Sequence, residues 1–249
     1  MALKKSLDSI LNDSYVRRRP PLRESHPSIF KVKQVVAPAV PIVVGTLLVS
    51  ISDFEDFDEE LSDQASSGLH KYRFDDYLQY SPIIIMYGLN AVKGLNPTHK
   101  FKQQSTVLAL SALTSYALVQ TTKYYVARKR PDSNALNSFP SGHTATAFLC
   151  AEMLHQEFGH HSAWISALGY TLASTTAFMR VYNDRHYFGD VIAGAGIGIL
   201  GTRIAYWIAP RVNKLLWGSA TGYDKGYYSA TISPCSFSDS YGVNLSITF

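Results

Sequence analysis

The sequence predicts an all-α fold, a bundle of six helices that crosses a membrane. Six apolar blocks can be drawn, at 35–51, 82–95, 105–122, 144–158, 163–179 and 191–209. Ala, Leu and Gly dominate them, strict period-two alternation is absent, and they are too long for typical strands. Mean hydropathy over the chain is only −0.03, so the clustering of apolar residues, and not their number, points to a bilayer. The 249 residues show no interdomain linker and suit one helical domain at 35–216, between a basic segment at 1–34 and a tail at 217–249.

The elements follow in order. Segment 1–34 carries Lys4, Lys5, Arg17, Arg18, Arg19, Arg23, Lys31 and Lys33, which predicts a cytoplasmic N-terminus. It has no apolar core for a cleavable signal peptide, so insertion is expected to begin with the first block. That block is free of charge and close to the ~20 residues a span needs. Ser52 to Tyr80 is an acidic, aromatic-spotted connection, read as an amphipathic surface helix or a long loop with Asp and Glu on a solvated face. Blocks two and four are short, and block four carries Glu152 and His155. Blocks three, five and six approach spanning length but are diluted by Thr, Ser and Gly, with Arg203 in block six. Lys93, Lys100 and Lys102 follow or close block two, and Arg211 and Lys214 follow block six. With six spans these fall inside, and the loops 123–143 and 180–190 share the outer face. Tyr77, Tyr80, Trp207 and Trp217 suit a membrane interface. In the tail, Val243 to Phe249 alternates as a strand would, an edge hairpin or extension with no chemical role assigned.

Composition narrows the function. The net charge of +4 comes largely from the N-terminus and from Lys123, Arg128, Lys129 and Arg130, with no nucleic-acid motif beside them, so anionic lipid headgroups or phosphate substrates are the expected partners. Cys150 and Cys235 are the two cysteines and form neither a disulfide framework nor a zinc spacing.

Three clusters carry the chemistry: Lys123 with Arg130-Pro131, then Pro140-Ser141-Gly142-His143, then Arg180 with His186 and Asp190. Hydrolysing a phosphate ester requires neutralised oxygens, an in-line attack on phosphorus and a proton for the leaving oxygen. Arg130 and Arg180 can grip phosphate oxygens in bidentate fashion and Lys123 adds a point charge. Lys123 and Arg130 reach one anion only if the chain turns back, which Pro131 fits because it cannot continue a helix. Ser141 and Gly142 open a helix whose first N–H groups make an anion site, and Gly142 lets the backbone approach closely. The same residues would also serve as a plain helix start, Ser141 acting as cap. His186 and Asp190, four residues apart, share a face if the helix of block six starts near His186, and Asp190 can then hold one ring nitrogen while the other attacks. His143 is then the general acid and base. Arg128, Lys129, Asp184 and Arg185 flank the clusters and either shape the entrance or are solvated.

The clusters, in this order, resemble the three signature motifs of the type 2 phosphatidic acid phosphatase (PAP2) superfamily, which includes lipid phosphate phosphatases and shares its scaffold with class A acid phosphatases and vanadium haloperoxidases. The resemblance spans roughly 75–209. It implies a helical bundle, a phosphohistidine intermediate on His186, acid–base work by His143, orientation by Asp190, and phosphate binding by Lys123, Arg130, Ser141, Gly142 and Arg180. The family usually has Ser before the third-motif arginine; Met179 stands there and offers no hydroxyl to the phosphate. The expected protein is an integral inner-membrane phosphatase needing no metal or cofactor, its site on the outer, periplasmic face, acting on a lipid phosphate monoester or pyrophosphate. Competing expectations are a soluble acid phosphatase, separated by solubility without detergent; a vanadate-dependent haloperoxidase, separated by halide oxidation; and a phospholipid-binding protein without turnover.

Overall fold

The computed structural model describes residues 32–65, 73–217, 229–237 and 240–248. Most of the predicted basic segment therefore lies outside the described residues, as do 218–228 of the tail. The chain divides into a unit at Phe30–Asn213 and a second that includes Lys214–Phe249. In the second unit, β1 (Ser229–Phe237) and β2 (Ser240–Thr248) pair antiparallel, Ser229 opposite Thr248 and Phe237 opposite Ser240.

The helical unit contains α1 (Val32–Ser50), α2 (Ser52–Ala65), the single turn α3 (Asp75–Leu78), α4 (Ser81–Leu89), α5 (Phe101–Val126), α6 (Gly142–Phe158) and α7 (Ala163–Tyr182). Helix α8 (Phe188–Trp217) runs out of it to the C-terminal side. Among the described residues seven helices have nine residues or more, where the sequence predicts six. The additional one is α2, formed by the acidic connection. Block two is also shorter than expected, because α4 ends at Leu89 and the chain to Lys100 is irregular.

Small residues on α8 set the packing. A Cβ on Gly45 of α1 would stand 2.6 Å from Gly189 O and 2.7 Å from Ala193 N, and one on Gly196 would stand 2.7 Å from Pro38 O. The two backbones therefore touch, and α1 runs antiparallel to α8. On other faces of α8, Gly194 lies against Ser141 O and Gly201 against Ser115, so one helix meets α1, α5 and α6. Helices α6 and α7 form a hairpin closed by Ala147, Ala151 and Ala173, and Ser162 caps α7 by accepting from Trp164 N at 3.2 Å.

Buried charges in this core are paired, as the cost of an isolated one demands. Glu157 accepts from His99 N at 2.9 Å and Tyr206 Oη at 2.7 Å, and Glu152 from Arg203 Nε at 2.9 Å. The largest apolar cluster among the described residues includes Met86, Val107, Leu149, Met153, Leu154 and Phe158. It leaves the opposite end, where α5 and α7 finish and α6 and α8 begin, to the motif residues.

Candidate active site

Helix α8 begins at Phe188, two residues after His186, and Asp190 in its first turn reaches back to that histidine. Asp190 Oδ2 lies 3.4 Å from His186 Nδ1 and accepts from Tyr187 N at 3.1 Å and from the Ser138 hydroxyl. Because Nδ1 faces the carboxylate, the network assigns its proton there and leaves Nε2 as the basic nitrogen. Both side chains are buried. Burial pushes the His186 imidazole down to about 4, Asp190 pulling it back only in part while Arg180 and Arg130 press the same way as burial. A neutral imidazole is what attack on phosphorus requires.

Asp190 is itself held by a residue that the motif reading places only at the margin. Arg128 Nη1 donates to Asp190 Oδ1 at 3.2 Å and to Asp58 Oδ2 at 2.9 Å, and its guanidinium lies 4.0 Å over the Tyr187 ring. Asp58 Oδ1 accepts from Gly189 N at 2.8 Å, and Ser62 Oγ from Phe188 N at 3.1 Å. The acidic connection thus does not present all its carboxylates to solvent: Asp58 is 1 % exposed. It caps the N-terminus of α8, where unpaired N–H groups and the helix dipole favour an anion. The outward residues of α2 include Phe54, Phe57 and Leu61 beside Asp53, Asp56, Glu59, Glu60 and Asp63, so most of the acidic run is solvated as expected and Asp58 is the exception.

The turn of the first motif begins earlier than Pro131 would place it. Helix α5 ends at Ala127, whose φ of 47° is left-handed, and Pro131 lies within the bridge Arg130↔Ser133. The returning loop passes Lys123, whose Nζ donates to Asn137 O and, at 3.4 Å, to Ser138 O. Arg130 Nε donates to Asn137 Oδ1 at 2.7 Å. Of the flanking residues, Arg128 is buried and Arg185 pairs with Asp132 at 2.7 Å, while Lys129 is exposed.

Ser141 takes the cap role that its sequence leaves open. It accepts from Thr144 N at 3.4 Å and Thr144 Oγ1 at 3.0 Å, and its own N–H donates to Asp190 O at 3.0 Å, tying the second motif to the third. A Cβ on Gly142 would meet only Val119 Cγ1, at 3.9 Å. Packing does not demand glycine here, and the space it leaves opens beside His143.

His143 Nε2 lies 3.1 Å from Asp76 Oδ1, and Arg180 Nη1 lies 2.6 Å from Asp75 Oδ2 and 3.4 Å from Asp76 Oδ1. Burial and Arg180 push His143 below its ordinary value, against Asp76 and Asp75. The structure therefore brings His143 and Arg180 to one carboxylate, and His186 and Asp190 to one another, with Lys123 in the last turn of α5 and Arg130 on the loop that follows. Asp58, Asp75, Asp76 and Ser138 are partners that motif reasoning does not find. Lys123, Gly142 and His143 line one end of a cavity of about 750 Å³ that continues between α5 and α6 over Val119, Ala145 and Leu149.

Residues 104–214 match the PAP2 superfamily. A lipid A 1-phosphatase of Porphyromonas gingivalis is 34 % identical over 193 residues, 78 % of this chain and 42 % of that protein. A lipid A 4'-phosphatase of Bacteroides thetaiotaomicron is 35 % identical over 88 residues, 35 % of this chain and 38 % of that protein. The chain thus spans less than half the length of both relatives. A crystal structure of a transmembrane PAP2-type phosphatidylglycerolphosphate phosphatase from Bacillus subtilis has the same fold, with a TM-score of 0.52 at 17 % identity, over 74 % of this chain and 98 % of that one.

Proposed function

The chain carries a PAP2-superfamily region at residues 104–214, and from that premise we propose that it is a metal-independent phosphatase of a lipid phosphate monoester or pyrophosphate, working through a phosphohistidine. The observation that carries this reading is the pairing of a buried His186–Asp190 dyad with a second histidine, His143, beside Arg180. Lys123, Arg130 and Arg180 neutralise the nonbridging oxygens, as side-chain cations, and Gly142 makes room for them. His186 Nε2 attacks phosphorus in line and the bond to the leaving oxygen breaks, His143 supplying that oxygen's proton. Asp190 stabilises the positive charge that the phosphorylated imidazole acquires. Water, deprotonated by His143, then attacks phosphorus, releasing inorganic phosphate and restoring His186.

A lipid substrate is supported by the groove, which joins Lys123 and His143 to apolar residues, and by the names of the two relatives, both lipid A phosphatases; a phosphorylated glycolipid of that class is the first candidate. Membrane insertion is supported by α8, long and apolar enough to cross a bilayer, and by outward Val36, Val40, Val43, Leu113, Trp164 and Phe178, a surface few soluble monomers expose. Because α1 runs antiparallel to α8, it starts at the end away from the site. The basic residues that precede it then favour a periplasmic site in an inner membrane.

Phosphate release from lipid A, phosphatidate, lysophosphatidate, phosphatidylglycerophosphate and polyprenyl pyrophosphate in detergent tests the reading. At least one should turn over, and His186→Ala should abolish release; undiminished activity of that variant would sink the mechanism.

A further inference from the structure

Asp76 occupies an unusual place for an acid beside a phosphate pocket. A single oxygen, Oδ1, lies 3.1 Å from His143 Nε2 and 3.4 Å from Arg180 Nη1. Those are the two donors that an ester oxygen of the substrate would meet, so carboxylate and substrate compete for one seat.

The neighbouring acids differ in how firmly they are held. Asp75, with its side chain 2 % exposed, bonds Arg180 at 2.6 Å and accepts from Asn183 Nδ2 at 3.3 Å. It anchors the arginine from behind. Asp76 is 34 % exposed, and its second oxygen lies 3.4 Å from Nε of Arg73, a side chain 87 % exposed. It therefore has a partner on the solvent side and can leave the pocket without becoming unpaired.

The chain that carries Asp76 also forms the groove wall. Gln79 Nε2 donates to Asp76 O at 2.7 Å. Gln79 and Tyr80 line the same cavity as Lys123, Gly142, His143 and the apolar Val119 and Leu149. A molecule filling the groove touches the segment next to the competing carboxylate.

We propose that Asp76 is a specificity-determining residue: it fills the phosphate seat and yields to a phosphate whose apolar body occupies the groove, so that free phosphate and small esters are held off. The inference rests on the phosphatase reading of this site. A small anion meets the full competition, whereas a lipid phosphate adds apolar burial that offsets it.

The test uses the full chain in detergent. Calorimetric titration with inorganic phosphate should give a Kd about tenfold tighter for Asp76→Asn, the loss of one charge-assisted contact that the anion must displace. The ratio of kcat/KM for p-nitrophenyl phosphate to that for dioleoyl phosphatidate should rise by a similar factor of roughly ten. Arg73→Ala, which removes the outward partner without entering the pocket, should weaken phosphate binding. Unchanged or weaker phosphate binding by Asp76→Asn overturns the proposal, as does an equal fall in kcat on both esters, which would make Asp76 a positioning group for His143. Binding is read without turnover, so a chain that hydrolyses no ester yet binds phosphate more tightly as Asp76→Asn loses the phosphatase reading and keeps the competition.

Discussion

In the proposed mechanism His186 must be neutral when it attacks and must carry positive charge once phosphorylated. Its surroundings divide those demands: burial and two arginines keep the free ring neutral down to about 4, and Asp190 waits on Nδ1 for the charge that follows. His143 must hold its proton at the start, and its pKa lies below the ordinary 6.5. For the free enzyme, activity is lost as pH falls through the value of His186 and as it rises through that of His143. The kcat/KM profile should therefore be a bell with its maximum on the acid side of neutrality, and a plateau reaching into alkaline pH would contradict the assignment of His143. Asp190→Asn should lower kcat by on the order of 10⁴-fold, as when an amide replaces the carboxylate of a serine-protease triad; a loss smaller than tenfold would remove Asp190 from the mechanism. Gly142→Ala probes the oxyanion side: nothing but Val119 stands near the added methyl, so thermal stability in detergent should hold while phosphate affinity falls. The His186–Asp190 contact is legible in the sequence because only four positions separate them, although His186 stands before α8 begins at Phe188 and Asp190 reaches back to it. The partners Asp75 and Asp76 are not, since Arg180 lies more than a hundred positions from both and only tertiary packing joins them.

At the scale of elements, α2 shows how one acidic stretch can serve two surfaces. Asp and Glu at surface frequency suggest a solvated helix, and Asp53, Asp56, Glu59, Glu60 and Asp63 are exposed, yet the face that packs inward carries Asp58 and Ser62. The target of that face is the start of α8, whose Gly189 and Phe188 N–H groups need acceptors. Neither partner announces itself locally, so the sequence shows the apolar blocks and hides the polar docking between them. Asp58→Ala should leave Gly189 N–H and part of Arg128 unsatisfied, costing about 1–3 kcal/mol and lowering kcat through Asp190. Glu60→Ala, on the exposed side of the same helix, should stay within about 0.5 kcal/mol. Thermal melts of the two variants in one detergent make the comparison, and equal shifts would show that the helix contributes bulk charge and not a specific cap.

At the largest scale, the helical unit has two ends, and they differ in kind. One gathers the ends of α5 and α7 with the starts of α6 and α8, and with them both histidines and the cations. The other holds the turn between α6 and α7, where His160 is exposed, and the start of α1, to which the basic N-terminal residues connect. The proposed lipid phosphatase with a periplasmic site would have the first end outside, and the positive charge preceding α1 favours the second end inside; the antiparallel contact of Gly45 with Gly189 makes the two expectations consistent. Labelling with a membrane-impermeant maleimide separates the ends. In a background with Cys150 and Cys235 replaced by serine, Lys129→Cys should label in intact spheroplasts, and His160→Cys should label only after the membrane is broken. The opposite pattern would turn the site toward the cytoplasm and with it the pool of lipid that can reach His186; labelling of both without lysis would remove the membrane barrier between the two ends and return the soluble acid phosphatase reading.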